Sequence, residues 1–94
     1  MSAEKITVGQ IVISAAGRDK GHAYVVIGKL NPPFVLVGDG RDRKVTNSKK
    51  KNIRHITILS SIAEAVSDKI SRGAKVSDED IRAALNQVCT MDEK

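Results

Sequence analysis

Cys89, His22 and His55 carry the thiol and imidazole groups from which covalent or metal chemistry could be built, and their spacing supports neither. The two histidines are 33 residues apart with no third ligand near either, short of the three or four donors that hold zinc. Cys89 falls near acidic residues without a cation to favour its thiolate, so it reads as a passive thiol. A single cysteine makes no internal disulfide, which fits a reducing cytoplasm. Asp19, Asp39 and Asp42 lie in or beside glycine-containing turns, where a short carboxylate caps turn backbone. No catalytic constellation, metal site, cofactor or small-molecule substrate follows from these groups. The chain reads as a non-enzyme.

The basic residues say more. Arg18 and Lys20 lie in a first loop, Arg41, Arg43 and Lys44 around a third turn, and Lys49, Lys50, Lys51 and Arg54 just before a last strand. Residues 1–58 hold 11 basic and 4 acidic groups (+7), whereas residues 59–94 hold 5 basic and 7 acidic (−2). Cations clustered on loops of a rigid scaffold can straddle phosphates, which position a protein on nucleic acid without reading its sequence. Taken alone, the lysine run reads equally well as a guard on an edge strand. Its clustering with the other cations in one half favours the binding role. Gly17 and Gly21 leave backbone N–H groups of the first loop approachable by phosphate. Only Tyr24 and Phe34 are aromatic, too few to stack successive unpaired bases, so a structured RNA suits the chain better than a single strand. Both rings are expected to fill the core. No predicted helix carries the basic face that major-groove insertion needs.

These residues need a scaffold, and 94 residues with 40% hydrophobic and 29% charged content suffice for one domain with a single core. The net charge of +5 implies an anionic partner. The longest apolar run, Ala23 to Ile27, is too short for a membrane span, and no apolar stretch follows Met1 to Lys5 as in a signal peptide. β-Branched runs at Val8 to Ile13 and Ala23 to Leu30 read as strands joined by the loop with Gly17 and Gly21. Asn31-Pro32-Pro33 forces a turn, and Phe34 to Val37 is a third strand. Gly38-Asp39-Gly40 suggests a tight hairpin into a fourth strand, Arg43 to Thr46. Ile53 to Ile58 reads as a fifth, with Ile56 and Ile58 on one face. Five short strands suit a small SH3-like barrel whose edges meet, with Gly28 a bulge or a sharp bend at which any Cβ would be costly.

The period then changes. Ser61 and Glu64 suggest a capping box opening a helix over 62–72, with Ile62, Val66 and Ile70 on one stripe and Gly73 as its stop. Ser77 and Asp80 repeat the box for a helix over 78–89, with Ile81, Ala84, Leu85 and Val88 as its stripe. Met91 to Lys94 reads as a frayed tail. The expectation is a mainly β fold with two short C-terminal helices: a barrel over 1–58 and a helical segment over 59–94, packed as one domain.

The run from Val8 through Gly21, followed by Tyr24-Val25-Val26-Ile27, resembles a KOW motif, with Gly21 at the motif glycine. Phe34 to Gly40 and Lys49 to Ile56 resemble the bacterial KOW-domain RNA-binding proteins related to archaeal and eukaryotic large-subunit ribosomal proteins. The resemblance covers residues 8–58 and, less specifically, the helices. It implies an SH3-like barrel docking on ribosomal RNA, with Arg18, Lys20 and Lys49 to Arg54 at the family's basic loops. Family members often carry a basic residue where His22 stands, so a neutral histidine would supply a weaker phosphate contact near pH 7. The acidic helices are left to touch a ribosomal protein. The alternative is an SH3-like adaptor that binds a ribosomal or transcription protein.

Overall fold

A computed structural model describes residues 6–92, with side chains to residue 87. Five strands form one antiparallel sheet among the described residues: β1 (Gln10–Ser14), β2 (Ala23–Lys29), β3 (Phe34–Gly38), β4 (Lys49–Asn52) and β5 (Ile56–Ile62), ordered β4-β3-β2-β1-β5. Two helices follow, α1 (Glu64–Ser71) and α2 (Asp78–Asp92).

Both faces of the sheet are covered at its centre, which is why β1, β2 and β3 read as nearly unbroken apolar runs. Successive side chains on a strand point to opposite faces. Val12 and Val26 therefore join Ile6, Tyr24, Val35, Val37 and Ile56 on one side. Ile11 and Val25 meet Ala63, Val66, Ile81 and Leu85 on the other, under the helices. Burying each such side chain contributes about 1.5–3 kcal/mol relative to exposure, so neither face alone would suffice for so short a chain.

The sheet is strongly curled. β4 and β5 stand at opposite ends of the strand order, yet only a 3-10 turn, Ile53–His55, separates them. In a flat sheet five strands wide those edges would be about 19 Å apart. Four Cα steps reach at most about 14 Å. Bulges assist the curl. β2 carries one extra residue, Ile27, against β3, and β5 carries a surplus against β1 between Gln10 and Val12. The buried Gln10 amide donates to the Leu59 carbonyl at 2.6 Å within that irregular stretch, satisfying an acceptor there.

The edges do not meet, so the expected closed barrel is corrected to an open, curled sheet. The connector spends its backbone elsewhere: Ile53 N–H bonds to Pro33 O at 2.8 Å, and His55 O accepts from Ala15 N–H at 2.7 Å. Nor is Arg43 to Thr46 a strand. Asp39 takes the N–H groups of Arg41 and Arg43, and Asp78 takes that of Val45, so side chains compete successfully with a ladder there. Val45–Asn47 is a 3-10 turn, and the fourth strand is the lysine run itself. The fifth strand starts at Ile56 rather than Ile53 and continues past residue 58. Ile56 is buried but Ile58 is 44% exposed, so the two do not share a buried face.

The first helix also starts later than its apparent capping box. Ser61 lies in β5, held extended by the Gln10–Ile62 pairing and the Ala63 N–H to Gly9 O bond, so Ala63 caps α1 without a side-chain bond. Ile62 is correspondingly off the stripe and 43% exposed. The stop at Gly73 is present, with Ala74 N–H on Lys69 O at 2.7 Å. The second capping box is reciprocal: Asp80 N–H bonds to Ser77 Oγ and Ser77 N–H to Asp80 Oδ2. α2 runs on through Met91 and Asp92, beyond residue 89. The side chains of Val88 and Cys89, and all of Glu93 and Lys94, lie outside the described residues.

Two glycines differ sharply. Gly40 has φ +77°, and a Cβ there would stand 2.5 Å from Asp78 O and 2.8 Å from Arg82 Cγ, where α2 is latched to the turn. Gly28 has no positive φ, and its Cβ would meet Leu36 Cδ1 at 3.4 Å, an ordinary contact, so the expected cost at Gly28 is corrected. Gly40→Ala should lose about 2–3 kcal/mol and Gly28→Ala less than about 1 kcal/mol, read as urea midpoints. Equal losses at the two positions would refute this assignment.

Candidate nucleic-acid interface

The loop between β1 and β2 is folded onto its own stem. Gly21 N–H bonds to Ser14 O at 2.8 Å and His22 N–H to Asp19 O at 2.8 Å, with Gly17 and Gly21 both at positive φ. The Gly21 amide is thus engaged rather than open to phosphate. The fold turns Asp19 inward. Its Oδ1 accepts from Ser14 Oγ at 2.8 Å and Lys51 Nζ at 3.1 Å, and its Oδ2 from Tyr24 OH at 2.6 Å and Lys49 Nζ at 3.1 Å. The Tyr24 hydroxyl, with Ser14, Lys51 and Lys49, holds this carboxyl well below the usual range against the opposing effect of burial. Burial, and then the Asp19 carboxylate, push the Tyr24 phenol well above its ordinary value. Tyr24 is core, as expected.

This arrangement divides the lysine run. On β4 the alternation of side chains turns Lys49 and Lys51 toward Asp19 and leaves Lys50 outside. Lys51 is only 8% exposed. Lys50 is exposed, its Nζ 4.7 Å from the Phe34 ring centroid.

A second inward-turned carboxylate, the buried Asp39, fixes the next turn. Asp39 Oδ1 accepts the Arg41 and Arg43 N–H groups at 2.8 Å each, and Oδ2 lies 2.6 Å from His22 Nε2. Burial raises the Asp39 pKa, but the two amides and His22 outweigh it and the carboxyl titrates below its ordinary value. α2 clamps the same turn: Asp78 accepts from Val45 N–H at 2.7 Å, and Arg82 Nη1 donates to Gly40 O at 2.7 Å. Asp80, at the start of α2, is also held low, by Lys69 and by the Ser77 N–H.

β1 and β3 end, and β2 and β4 begin, at one end of the sheet. Arg18 and Lys20 project from one connection there, and Arg41, Arg43 and Lys44 from the other. The Ala15–His55 bond brings the turn bearing Arg54 beside the first loop. Arg18, Lys20, Arg41, Lys44, Lys50 and Arg54 are all exposed, Arg43 is half-buried, and none of them joins an ion pair among the described residues. His22 is 44% exposed and held by Asp39. The arrangement is suited to binding anions. Among the described residues no three His, Cys, Asp or Glu side chains gather as a metal site, and no helix is long and apolar enough to cross a membrane.

No family model matches the chain. Relatives of the chain include ribosomal and ribosome-linked proteins. Large ribosomal subunit protein eL14 of Hyperthermus butylicus is 28% identical over 87 residues, covering 93% of this chain and 82% of that protein. The eL14 protein of Aeropyrum pernix is 31% identical over 85 residues, covering 90% and 78%. YbzG of Bacillus subtilis, provisionally named a ribosome-binding protein, is 30% identical over 71 residues, covering 76% of this chain and 96% of YbzG. The chain belongs to the eL14 family of large ribosomal subunit proteins.

Because the folded-state carboxyls titrate low, their stabilisation is fully present above about pH 5 and diminishes progressively as pH falls below about 4 toward the folded-state titrations. Asp19→Asn should lose about 2–4 kcal/mol at pH 6, since it strands the buried Lys51 charge, and clearly less at pH 3. Urea midpoints of both proteins at the two pH values check the sign. A loss that does not shrink at pH 3 would remove Asp19 from this role.

Proposed function

We propose that this chain is a non-enzymatic, ribosome-associated RNA-binding protein of the cytoplasm that lays its basic loops on phosphates of structured, ribosomal RNA. The observation that carries the reading is the set of exposed cations without ion-pair partners among the described residues: Arg18, Lys20, Arg41 and Lys44 on loops tied down by the inward-turned Asp19 and Asp39, Arg54 on the connector before β5, and Lys50 on β4. The names of its eL14 and ribosome-binding relatives point the same way. Arg43 and His22 stand at the margin of this set. Lys49 and Lys51 act chiefly through Asp19, holding β4 against the first loop. The KOW-type, SH3-like reading of the fold goes with it, supported by the strong curl of the five-stranded sheet and the three-residue turn between its two edge strands.

Binding of this kind is electrostatic, so log affinity should fall with log salt by about 0.7–0.9 per phosphate contact. Arg18→Ala, Lys20→Ala and Arg54→Ala combined should flatten that slope by about 2–3 while leaving the urea midpoint near wild type. The tagged protein should sediment with large ribosomal subunits at low salt and leave them at high salt. Wild-type protein that stays at the top of the gradient, or binding indifferent to salt, would overturn the reading.

An adaptor role has one observation in its favour, the open edge of β5 with Ile58 44% and Ile62 43% exposed. A partner retained after nuclease treatment of the lysate would favour it.

A further inference from the structure

The chain has a single phenylalanine, and the fold does not place it in either apolar core. On β3, Val35 and Val37 turn into the core at 3% and 0% exposure, while Phe34 faces the other way and is only half-buried. Its ring lines an open groove with Lys29, Leu30, Asn31 and Lys50. Leu30 is 39% exposed, and Lys29, Asn31 and Lys50 are exposed too. Among the described residues no carboxylate pairs with either lysine.

The groove is rigidly built. Leu30 N–H bonds to Phe34 O at 3.1 Å and Phe34 N–H to Asn31 O at 3.0 Å, so the Asn31 to Pro33 turn is closed at its base. The Ile53 N–H to Pro33 O bond anchors the same turn to the connector before β5. A fixed aromatic face beside an exposed aliphatic side chain, an amide that can both donate and accept, and two unpaired cations together suit a planar, hydrogen-bonding, anionic ligand.

We propose that this groove receives one unpaired nucleotide of the bound RNA, its base stacked on Phe34 and Leu30, its edge read by the Asn31 amide and its phosphate held by Lys29 and Lys50. The proposal rests on the RNA-docking reading and adds a subsite to it. Lys50 now sits over the ring at 4.7 Å. At an exposed site that cation–π contact is weaker than base stacking, so the base displaces the ammonium, which turns to the phosphate.

The test uses two RNA hairpins, one fully paired and one identical except for a single bulged 2-aminopurine. Wild-type protein should bind the bulged hairpin roughly tenfold more tightly at matched salt and quench the 2-aminopurine emission. Phe34→Leu, which keeps an apolar side chain at a half-buried position, should bring the two affinities within about twofold, abolish the quenching and leave binding of the paired hairpin unchanged. If wild type binds both hairpins equally with a steep salt dependence, the subsite is wrong and RNA docking stands. Binding to neither hairpin would overturn both, and a preference retained by Phe34→Leu would overturn the role of the ring.

Discussion

The structure depends on a carboxylate that cannot be left alone. Asp19 is largely withdrawn from water, and an unpaired charge in that position would cost several kcal/mol. Four groups from three strands converge on it: Ser14 of β1, Tyr24 of β2, and Lys49 and Lys51 of β4. β4 has a strand neighbour on one side only and consists of three lysines and an asparagine, a sequence with little apolar surface to hold it in place. The Asp19 pairings replace that missing attraction. They reach across the curl to a loop two strands away, so the hub ties the edge to the middle of the sheet.

The curl in turn decides what the sheet can bury. Its short strands form a useful core only because both faces are covered, one by its own curvature and the other by α1 and α2. The irregular registers that permit this curvature leave backbone groups out of step, and Gln10 restores one of them with a side-chain amide. A buried glutamine in a strand of valines and isoleucines is thereby explained by the backbone beside it.

Much of this was legible in the residues. The β-branched runs, the proline turn, the Gly73 stop and the Ser77–Asp80 box each depend on local chemistry, and each appears where the sequence suggests. The errors share a cause. Arg43 to Thr46 has the composition of a strand, but Asp39 and the distant Asp78 claim its amides, and nothing local announces Asp78. Ser61 resembles a cap, but pairing with β1 keeps it extended. The run Lys49 to Lys51 reads as three equal cations, whether as a phosphate-binding cluster or as a guard on an edge strand. On a strand, period-two alternation separates Lys50 from its neighbours. Asp19 reads locally as a turn cap because its two lysine partners lie 30 and 32 residues away.

The inward-turned acids also shape the outward field. Residues 1–58 contain only four acidic groups, Glu4, Asp19, Asp39 and Asp42, against 11 basic ones. Asp19 and Asp39 point inward, where the first neutralises two lysines and the second is occupied by backbone amides and a histidine. Among the described residues, Asp42 is then the one acid of this half left on the surface beside Arg18, Lys20, Arg41, Lys44, Lys50 and Arg54. At physiological salt, charges farther apart than about 8 Å scarcely feel one another, so a local excess matters more to a phosphate than net charge. Folding thus concentrates the positive potential at the loops by withdrawing the carboxylates that would cancel it. The interactions that hold β4 and the turns in place also leave their neighbours free to meet an anion.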